Sequence, residues 1–328
     1  MTSLILDRNG LEVRSEGSAL ALYDADGRRG TVPLALLDRV VMHGAGIVLD
    51  IGVLLRLAEK GIATLLLSGR SARRVASLCG TGHNNVAARI AQAQAVGDVD
   101  FCLAWARGLV AAKLGRSRKF LHSALTERPD ARKALIDAKR SVHETAAKVE
   151  LAADIDSLRG YEGAAAAAHF RGLAALFADE LEFTGRNRRP PRDPVNACLS
   201  LAYTLATADA ARAAFAAGLD AMVGFYHRPA FGRESLACDL IEPLRPAIDA
   251  WIWGLFRARS LRPESFSTDR GACSLGKAGR EKFYAEYQRA SRAWGRWLRT
   301  TCRGLAASLQ ARGEPYIEAT WEDEEPGA

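Results

Sequence analysis

No two of the six cysteines form a Cys-x-x-Cys pair; Cys79, Cys102, Cys198, Cys238, Cys273 and Cys302 are scattered along the chain. That scatter excludes a zinc ribbon, a zinc finger and a dithiol redox motif, and leaves six reduced core thiols as the expectation. Long apolar runs are missing too. Nothing approaches the roughly 18 uninterrupted apolar residues of a membrane span, so no membrane partner is expected. The opening residues, Met1 to Arg8, have no basic segment, long apolar core or small-residue cleavage site, and read straight into a strand. The expected location is therefore the cytoplasm.

Two signatures stop short of completion. Gly271-Ala-Cys-Ser-Leu-Gly276-Lys277-Ala278 follows a phosphate-binding loop until its last position, where Ala278 replaces the hydroxyl that would hold Mg²⁺. Ser265–Arg270 ahead of it is polar, so no apolar strand is expected there and no nucleotide cofactor. His143-Glu144 opens like a zinc-protease helix, but Ala147 stands where the second His is needed.

Acidic residues concentrate in one short stretch. The chain carries a net charge of +7, and residues 313–328 hold Glu314, Glu318, Glu322, Asp323, Glu324 and Glu325 with no Lys or Arg. Removing those six charges leaves the rest at +13. A strongly basic body is suited to a phosphate-rich partner, and 313–328 reads as a disordered acidic tail.

The apolar pattern divides the chain. Up to residue 79, short runs such as Leu4–Leu6, Ala19–Tyr23, Arg39–Met42 and Ile47–Leu49 are punctuated by Asn9-Gly10, Asp26-Gly27 and Gly44-Ala45-Gly46. These predict a small, mostly antiparallel β domain over 1–79. One helix interrupts it, capped by Asp50, running over Ile51–Lys60 and ended by Gly61, with strands at Ile62–Leu67 and Arg73–Leu78 after it. Gly80–Asn85 reads as a linker. Beyond it the period lengthens to about 3.6, predicting an all-α domain over 86–312. Its helices are expected at 86–96, 99–126, 130–158, 162–182, 194–217, 236–258 and 280–311. The fold class is α+β, with the strands first and the helices after them.

The chemistry gathers in Gly224-Phe-Tyr-His227-Arg-Pro-Ala-Phe-Gly-Arg-Glu-Ser235-Leu-Ala-Cys-Asp239-Leu-Ile-Glu242-Pro-Leu-Arg245-Pro246. Asp239 and Glu242 sit three apart and would share one face of a helix. Oxygen ligands beside a single His suit Mg²⁺ or Mn²⁺ better than zinc. Glu162, at the start of an alanine-rich helix, is the best third ligand, although an acid in a first turn often only complements the helix dipole. Arg289, Arg292, Arg296, Arg299 and Arg303 are spaced to align on one helix face, with Trp294, Leu298, Leu305 and Leu309 left for the core. Arg186, Arg188, Arg189 and Arg192 form a second basic cluster in a Pro-rich loop, and Lys113, Arg116, Arg118 and Lys119 a third.

Together these motifs resemble a known family. Gly160-Tyr-Glu162-Gly-Ala, Arg189-Pro-Pro-Arg-Asp-Pro-Val-Asn196 through Tyr203, and the whole Gly224–Pro246 stretch are similar to the motifs of the CRISPR-associated adaptation integrase. Asn84–Arg89, Gln92, Lys113-Leu114, Leu275–Phe283 and Tyr287 add to the likeness. The resemblance implies Glu162, His227 and Glu242 as metal ligands and Asp239 as an accessory acid. It implies homodimers formed through the β domains, two of which flank a small ferredoxin-like partner subunit. It further implies double-stranded DNA with free 3′ ends, whose hydroxyls attack repeat DNA by transesterification. A nuclease that hydrolyses branched DNA with the same residues, and a non-catalytic basic scaffold, remain open readings of the sequence.

Overall fold

The computed structural model describes residues 2–44, 46–68, 73–78, 85–187 and 190–313. Its first part builds β1 (Thr2–Leu6), β2 (Leu11–Glu16), β3 (Ala19–Asp24), β4 (Gly27–Pro33), β5 (Leu37–His43), β6 (Ile47–Leu49), α1 (Ile51–Glu59), β7 (Ala63–Ser68) and β8 (Arg73–Leu78). The Asp50 side chain accepts from the Val53 amide and caps α1, as its position predicts. The strands form two sheets, in the orders β4-β3-β2-β6 and β1-β5-β7-β8.

The α+β order is as expected, but the pairing is mixed rather than mostly antiparallel. β1–β5, β5–β7 and β2–β6 pair in parallel, and β2–β3, β3–β4 and β7–β8 antiparallel. Tight turns can join only antiparallel neighbours. The whole β2–β4 meander separates β1 from β5, and α1 lies between β5 and β7, so those connections are long enough to bring strands back in parallel.

β5 explains how the two parts fit together. Val40 and Met42 join Leu6, Val13, Leu20, Val53 and Leu57 in a core internal to the β region. Val41, on the opposite face, joins Leu65 and Leu67 of β7 in the much larger core of the helices. A strand buried on both faces reads as a continuous apolar run rather than an alternation.

The helical part runs α2 (Val86–Ala95), α3 (Val99–Glu127), α4 (Arg132–Val149), α5 (Ile155–Ala174), α6 (Pro194–Ala216), α7 (Ser235–Ile241), α8 (Arg245–Arg257) and α9 (Lys277–Gly313). Four expectations need correcting, the first being that the helix expected at 162–182 is α5, which starts at Ile155 and ends at Ala174. The 130–158 helix is two: α4 stops at Val149, and Asp154 starts α5 by accepting from the Ser157 amide. The 236–258 helix is broken at Pro243, whose missing N–H leaves a 3₁₀ turn over Glu242–Leu244. The domain is also not all-α, because β9 (Phe266–Asp269) and β10 (Ala272–Leu275) form an antiparallel hairpin. The phosphate-loop look-alike is therefore β10 and the start of α9, and the strand that precedes it, β9, is polar and mostly exposed, not apolar.

Among the cysteines, Cys102, Cys198, Cys273 and Cys302 are free and buried and Cys238 is free and half-buried; Cys79 lies outside the described residues. So do residues 80–84 of the expected linker and 314–328 of the acidic stretch. Among the described residues no helix is long and apolar enough to cross a membrane.

Buried polar contacts reinforce the seam between the parts. Arg39 on β5 donates to Asp209 on α6, which also accepts from the Tyr287 hydroxyl of α9 at 3.0 Å. Arg39 and Asp209 are nearly enclosed, with side-chain exposures of 6% and 11%. Breaking a buried pair on one side leaves an uncompensated charge and costs about 3–5 kcal/mol. Arg39→Met is therefore expected to lower unfolding free energy by that amount, measured by denaturant titration. A loss under about 1 kcal/mol would mean that water reaches the pair.

Candidate functional site

Three separated stretches meet at one cavity of about 270 Å³ on the helical side. α3 contributes Lys113 and Ser117, α5 contributes Glu162 and His169, and the segment around α7 contributes His227, Glu242 and Arg245. Arg186, Tyr203 and Asp249 complete much of the lining.

The His227 side is built on one carboxylate. Asp239 is fully buried on α7. Its Oδ2 accepts from the amides of Phe225 and Tyr226 at 2.9 and 3.0 Å, and its Oδ1 from the His227 amide at 2.8 Å. Oδ1 also accepts a hydrogen bond from His227 Nδ1–H at 2.7 Å, since a carboxylate can only accept. Nε2 is then the imidazole nitrogen left for a ligand. Two features let the chain lie this close. A Cβ on Gly224 would stand 2.6 Å from the Ser235 carbonyl carbon, so only glycine fits there. Gln92, itself fully buried, donates to the carbonyls of Asp220 and Val223 and accepts from the Asp220 amide, pinning the approach to the turn.

On the Glu162 side, the Lys113 ammonium lies between two carboxylates. It donates to Glu162 and to Glu242, the latter at 2.6 Å, and Glu242 also accepts from Arg245 Nε at 2.8 Å. Burial opposes ionisation of Glu242, but Arg245 and Lys113 outweigh it and hold the carboxyl at about 2. Burial likewise works against the Lys113 ammonium, while Glu242 and Glu162 raise its pKa above the usual value.

Below these groups runs a closed polar chain. Ser117 Oγ contacts His169 Nδ1 at 2.5 Å, His169 Nε2 contacts Asp249 at 2.9 Å, and Asp249 accepts from the Tyr203 hydroxyl at 2.5 Å. Arg186 and Arg245 lie over the Tyr203 ring, 5.5 and 4.4 Å from its centroid.

Glu162, His227 and Glu242 thus line one cavity, whereas Asp239 does not. It stands behind His227, its carboxylate taken up by the amides of Phe225, Tyr226 and His227 and by the His227 ring. Glu162 lies two turns inside α5, beyond the reach of the N-terminal dipole, which fades within the first turn. Among the described residues, no group of three His, Cys, Asp or Glu side chains is gathered as a metal cage. Lys113 occupies the space between the carboxylates.

The basic residues separate into different environments. Arg186 lines the cavity and donates to Asn196 at 2.8 Å; Arg188 and Arg189 lie outside the described residues. Arg292, Arg296 and Arg303 are exposed along α9, and Arg289 is exposed but paired with Glu286. Arg299 is half-buried, and burial first, then the nearby Arg212, Arg303 and Arg296, lower its pKa against the pull of Asp38. Leu298, Leu305 and Leu309 fill the core as their spacing predicts. The third cluster does not form one patch. Lys113 enters the cavity, Arg116 donates to the Pro243 carbonyl and lies over Trp297, and Arg118 meets His143.

Sequence reasoning assigned no site role to Arg245 or to the Ser117–His169–Asp249–Tyr203 chain. It places Lys113 in a basic cluster with Arg116, Arg118 and Lys119 and gives it no site role. The signal for Lys113 was a lone charge beside Leu114 on an apolar helix face; for His169 and Asp249 it was a polar residue inside Ala-Ala-His-Phe and Ile-Asp-Ala-Trp.

Fold and site together define a class: an α+β protein whose helical part holds a cavity of carboxylates, an imidazole and cationic side chains. The family model described as CRISPR associated protein Cas1 matches residues 4–289, and the chain belongs to that family. A CRISPR-associated endonuclease Cas1 of Thermodesulfovibrio yellowstonii is 37% identical over 319 residues, 95% of this chain and 97% of the relative. Among solved structures, a casposase bound to its integration product superposes with a TM-score of 0.82 at 20% identity, over 96% of this chain and 92% of that one. A Cas6-RT-Cas1–Cas2 complex matches with a TM-score of 0.79 at 21% identity, over 95% of this chain and 35% of that one.

The Glu242 environment makes stability depend on acid. Its folded pKa lies below the ordinary 4.5, so the stabilisation it supplies is complete above that pH and is lost as pH falls toward about 2. In metal-free buffer, the gap in unfolding free energy between wild type and Glu242→Gln should close across that window. A gap that stays constant with pH would refute the ionised pairing.

Proposed function

We propose that this protein is a metal-dependent DNA endonuclease and integrase of CRISPR adaptation, which joins 3′-hydroxyl ends of captured DNA to repeat DNA. The observation that carries the reading is the convergence of Glu162, His227 and Glu242 on one cavity of a Cas1-family chain. The relative from Thermodesulfovibrio yellowstonii is named an endonuclease, and the casposase of like fold is bound to an integration product.

The reaction exchanges one phosphodiester for another. The 3′-oxygen forms a new P–O bond, the P–O3′ bond of the repeat strand breaks, and the proton passes from the attacking hydroxyl to the departing one. No ATP is consumed. The donor set fits a hard divalent cation, because two carboxylates and one neutral imidazole nitrogen offer ligands while leaving places for water and phosphate. Glu162, Glu242 and His227 would hold Mg²⁺ or Mn²⁺, which when bound favours ionisation of the attacking hydroxyl and offsets charge on the phosphate. Asp239 fixes the His227 tautomer and ring. Arg186, Arg245 and Tyr203 bound the space into which the phosphate must fit, and the arginines of α9 (Arg289, Arg292, Arg296, Arg299) with Arg188 and Arg189 supply a route for the DNA backbone. A homodimer formed through the β region, around a ferredoxin-like partner, would set two such sites at the two ends of one repeat. The Cas1–Cas2 complex of like fold supports a partner of that kind.

The name endonuclease also favours a second outcome at the same site, hydrolysis of branched DNA with water as nucleophile. A labelled duplex with a 3′-hydroxyl separates them: joined product supports the integrase, and release of fragments alone supports hydrolysis. His227→Ala and Glu162→Ala should each abolish joining while leaving a folded protein that still binds DNA. Wild-type joining by either variant would remove that residue from the site.

Lys113 yields a test that needs no turnover. Its ammonium and a divalent cation compete for the same two carboxylates. Lys113→Met should bind Mn²⁺ at least about ten-fold tighter, read by calorimetry or Mn²⁺ electron paramagnetic resonance. It should also melt lower in chelator. Weaker Mn²⁺ binding would show that Lys113 supports the loaded site instead of competing with it.

A further inference from the structure

The segment from Arg228 to Glu234 leaves the site after His227 and runs into α7, and its tip is Phe231. The ring is fully exposed, at 109% relative accessibility, and is the one aromatic among the large exposed hydrophobics of the described residues. An exposed phenylalanine on a floppy loop would mean little. This one is held. The Arg233 amide donates to the Ala230 carbonyl at 3.1 Å, closing a tight turn with Phe231 and Gly232 at its centre. Gly232 takes φ +67°, which a side chain would resist. Arg233 donates to the Arg228 carbonyl and, at 3.2 Å, to Ser235 Oγ, while Ser235 Oγ donates to the same Arg228 carbonyl at 3.2 Å. Ser235 is fully buried at the start of α7, and His227 at the other end is tied to Asp239 on the same helix.

The loop is therefore braced at both ends on the element that positions His227, and it lifts one aromatic ring into solvent between Arg228 and Arg233, both exposed. A bare ring flanked by two guanidinium groups suits a chain that alternates flat apolar faces with anions. Lipid acyl chains or an apolar peptide would offer neither guanidinium an anion. We propose that Phe231 stacks on an unpaired nucleobase next to the reacting phosphate, with Arg228 and Arg233 on the flanking phosphates. The loop then selects strand ends and branch points over continuous duplex, because a base inside a duplex has both faces covered. This inference rests on the nucleic-acid reading of the site and adds the residues that would hold the unpaired base.

The test uses the full-length protein and two labelled DNAs: a continuous duplex, and the same duplex carrying unpaired nucleotides at a branch, with 2-aminopurine at each unpaired position in turn. The ring is fully exposed, so Phe231→Ala and Phe231→Trp should both fold. Loss of one base–aromatic stack is expected to weaken binding of the branched DNA by about ten-fold. Continuous duplex binding and its salt dependence should stay unchanged in Phe231→Ala. Phe231→Trp should retain the preference, and one 2-aminopurine position should show a fluorescence change that Phe231→Ala abolishes. Equal affinities of wild type and Phe231→Ala for the branched DNA, or an equal loss on both DNAs, would overturn the stacking. The binding arms decide this without turnover. Failure of wild type to join or cleave either DNA would instead overturn the catalytic reading, so the two failures are distinct.

Discussion

The site depends on a carboxylate that has no access to water. Asp239 buried without partners would cost several kcal/mol or take up a proton. It is instead given four donors, three consecutive amides and an imidazole N–H. Those donors can converge only if Phe225, Tyr226 and His227 wrap around the carboxylate. That path requires Gly224 against Ser235 and Gln92 beneath the preceding turn. The orientation of His227 thus follows from satisfying a buried charge. Removing that charge would free the turn before it altered any chemistry at Nε2.

A second constraint is electrostatic balance. Glu162 and Glu242 approach each other from different helices, and two carboxylates that close repel unless a cation lies between them. Lys113 supplies it from α3, and Arg245 supports Glu242 from the other side. The floor beneath offers no slack, since Ser117, His169, Asp249 and Tyr203 are all engaged with one another. In such a frame the long lysine stem is the part able to move. The ammonium can therefore shift without repacking the core.

Much of this was legible in the sequence, and the failures have identifiable causes. Asp50 and Gly61 marked the ends of α1 because cap chemistry is local. Asp154 carries the same signal before α5, but the apolar rhythm of α4 continues toward it and masks the break. Pro243 announced a break that the alanine- and leucine-rich flanks concealed. Glu162, His227 and Glu242, which line one cavity, are legible as a group because each belongs to a motif of adjacent residues. Lys113, His169 and Asp249 are not, because their roles arise from packing between helices far apart in sequence. The three-residue spacing of Asp239 and Glu242 misled for a related reason. Both lie on the helical path before Pro243, and their spacing could not show that the amides of Phe225, Tyr226 and His227 take up the Asp239 carboxylate.

The β region contributes more than a separate fold at one end. Val41, Leu65 and Leu67 are part of the helical core, and Arg39 is enclosed against α6 and α9. α6 also carries Tyr203 at the cavity, and Gln92 of α2 holds the turn that leads to His227. A shift of β5 relative to the helices would first disturb Asp209 and Tyr287, and only through α6 the Tyr203–Asp249 contact. Packed cores transmit such strain because their interiors are dense and low in compressibility. The long central helices consequently make the geometry of the cavity sensitive to how the two sheets seat against them. This places the β region, remote from every candidate ligand, among the determinants of the site.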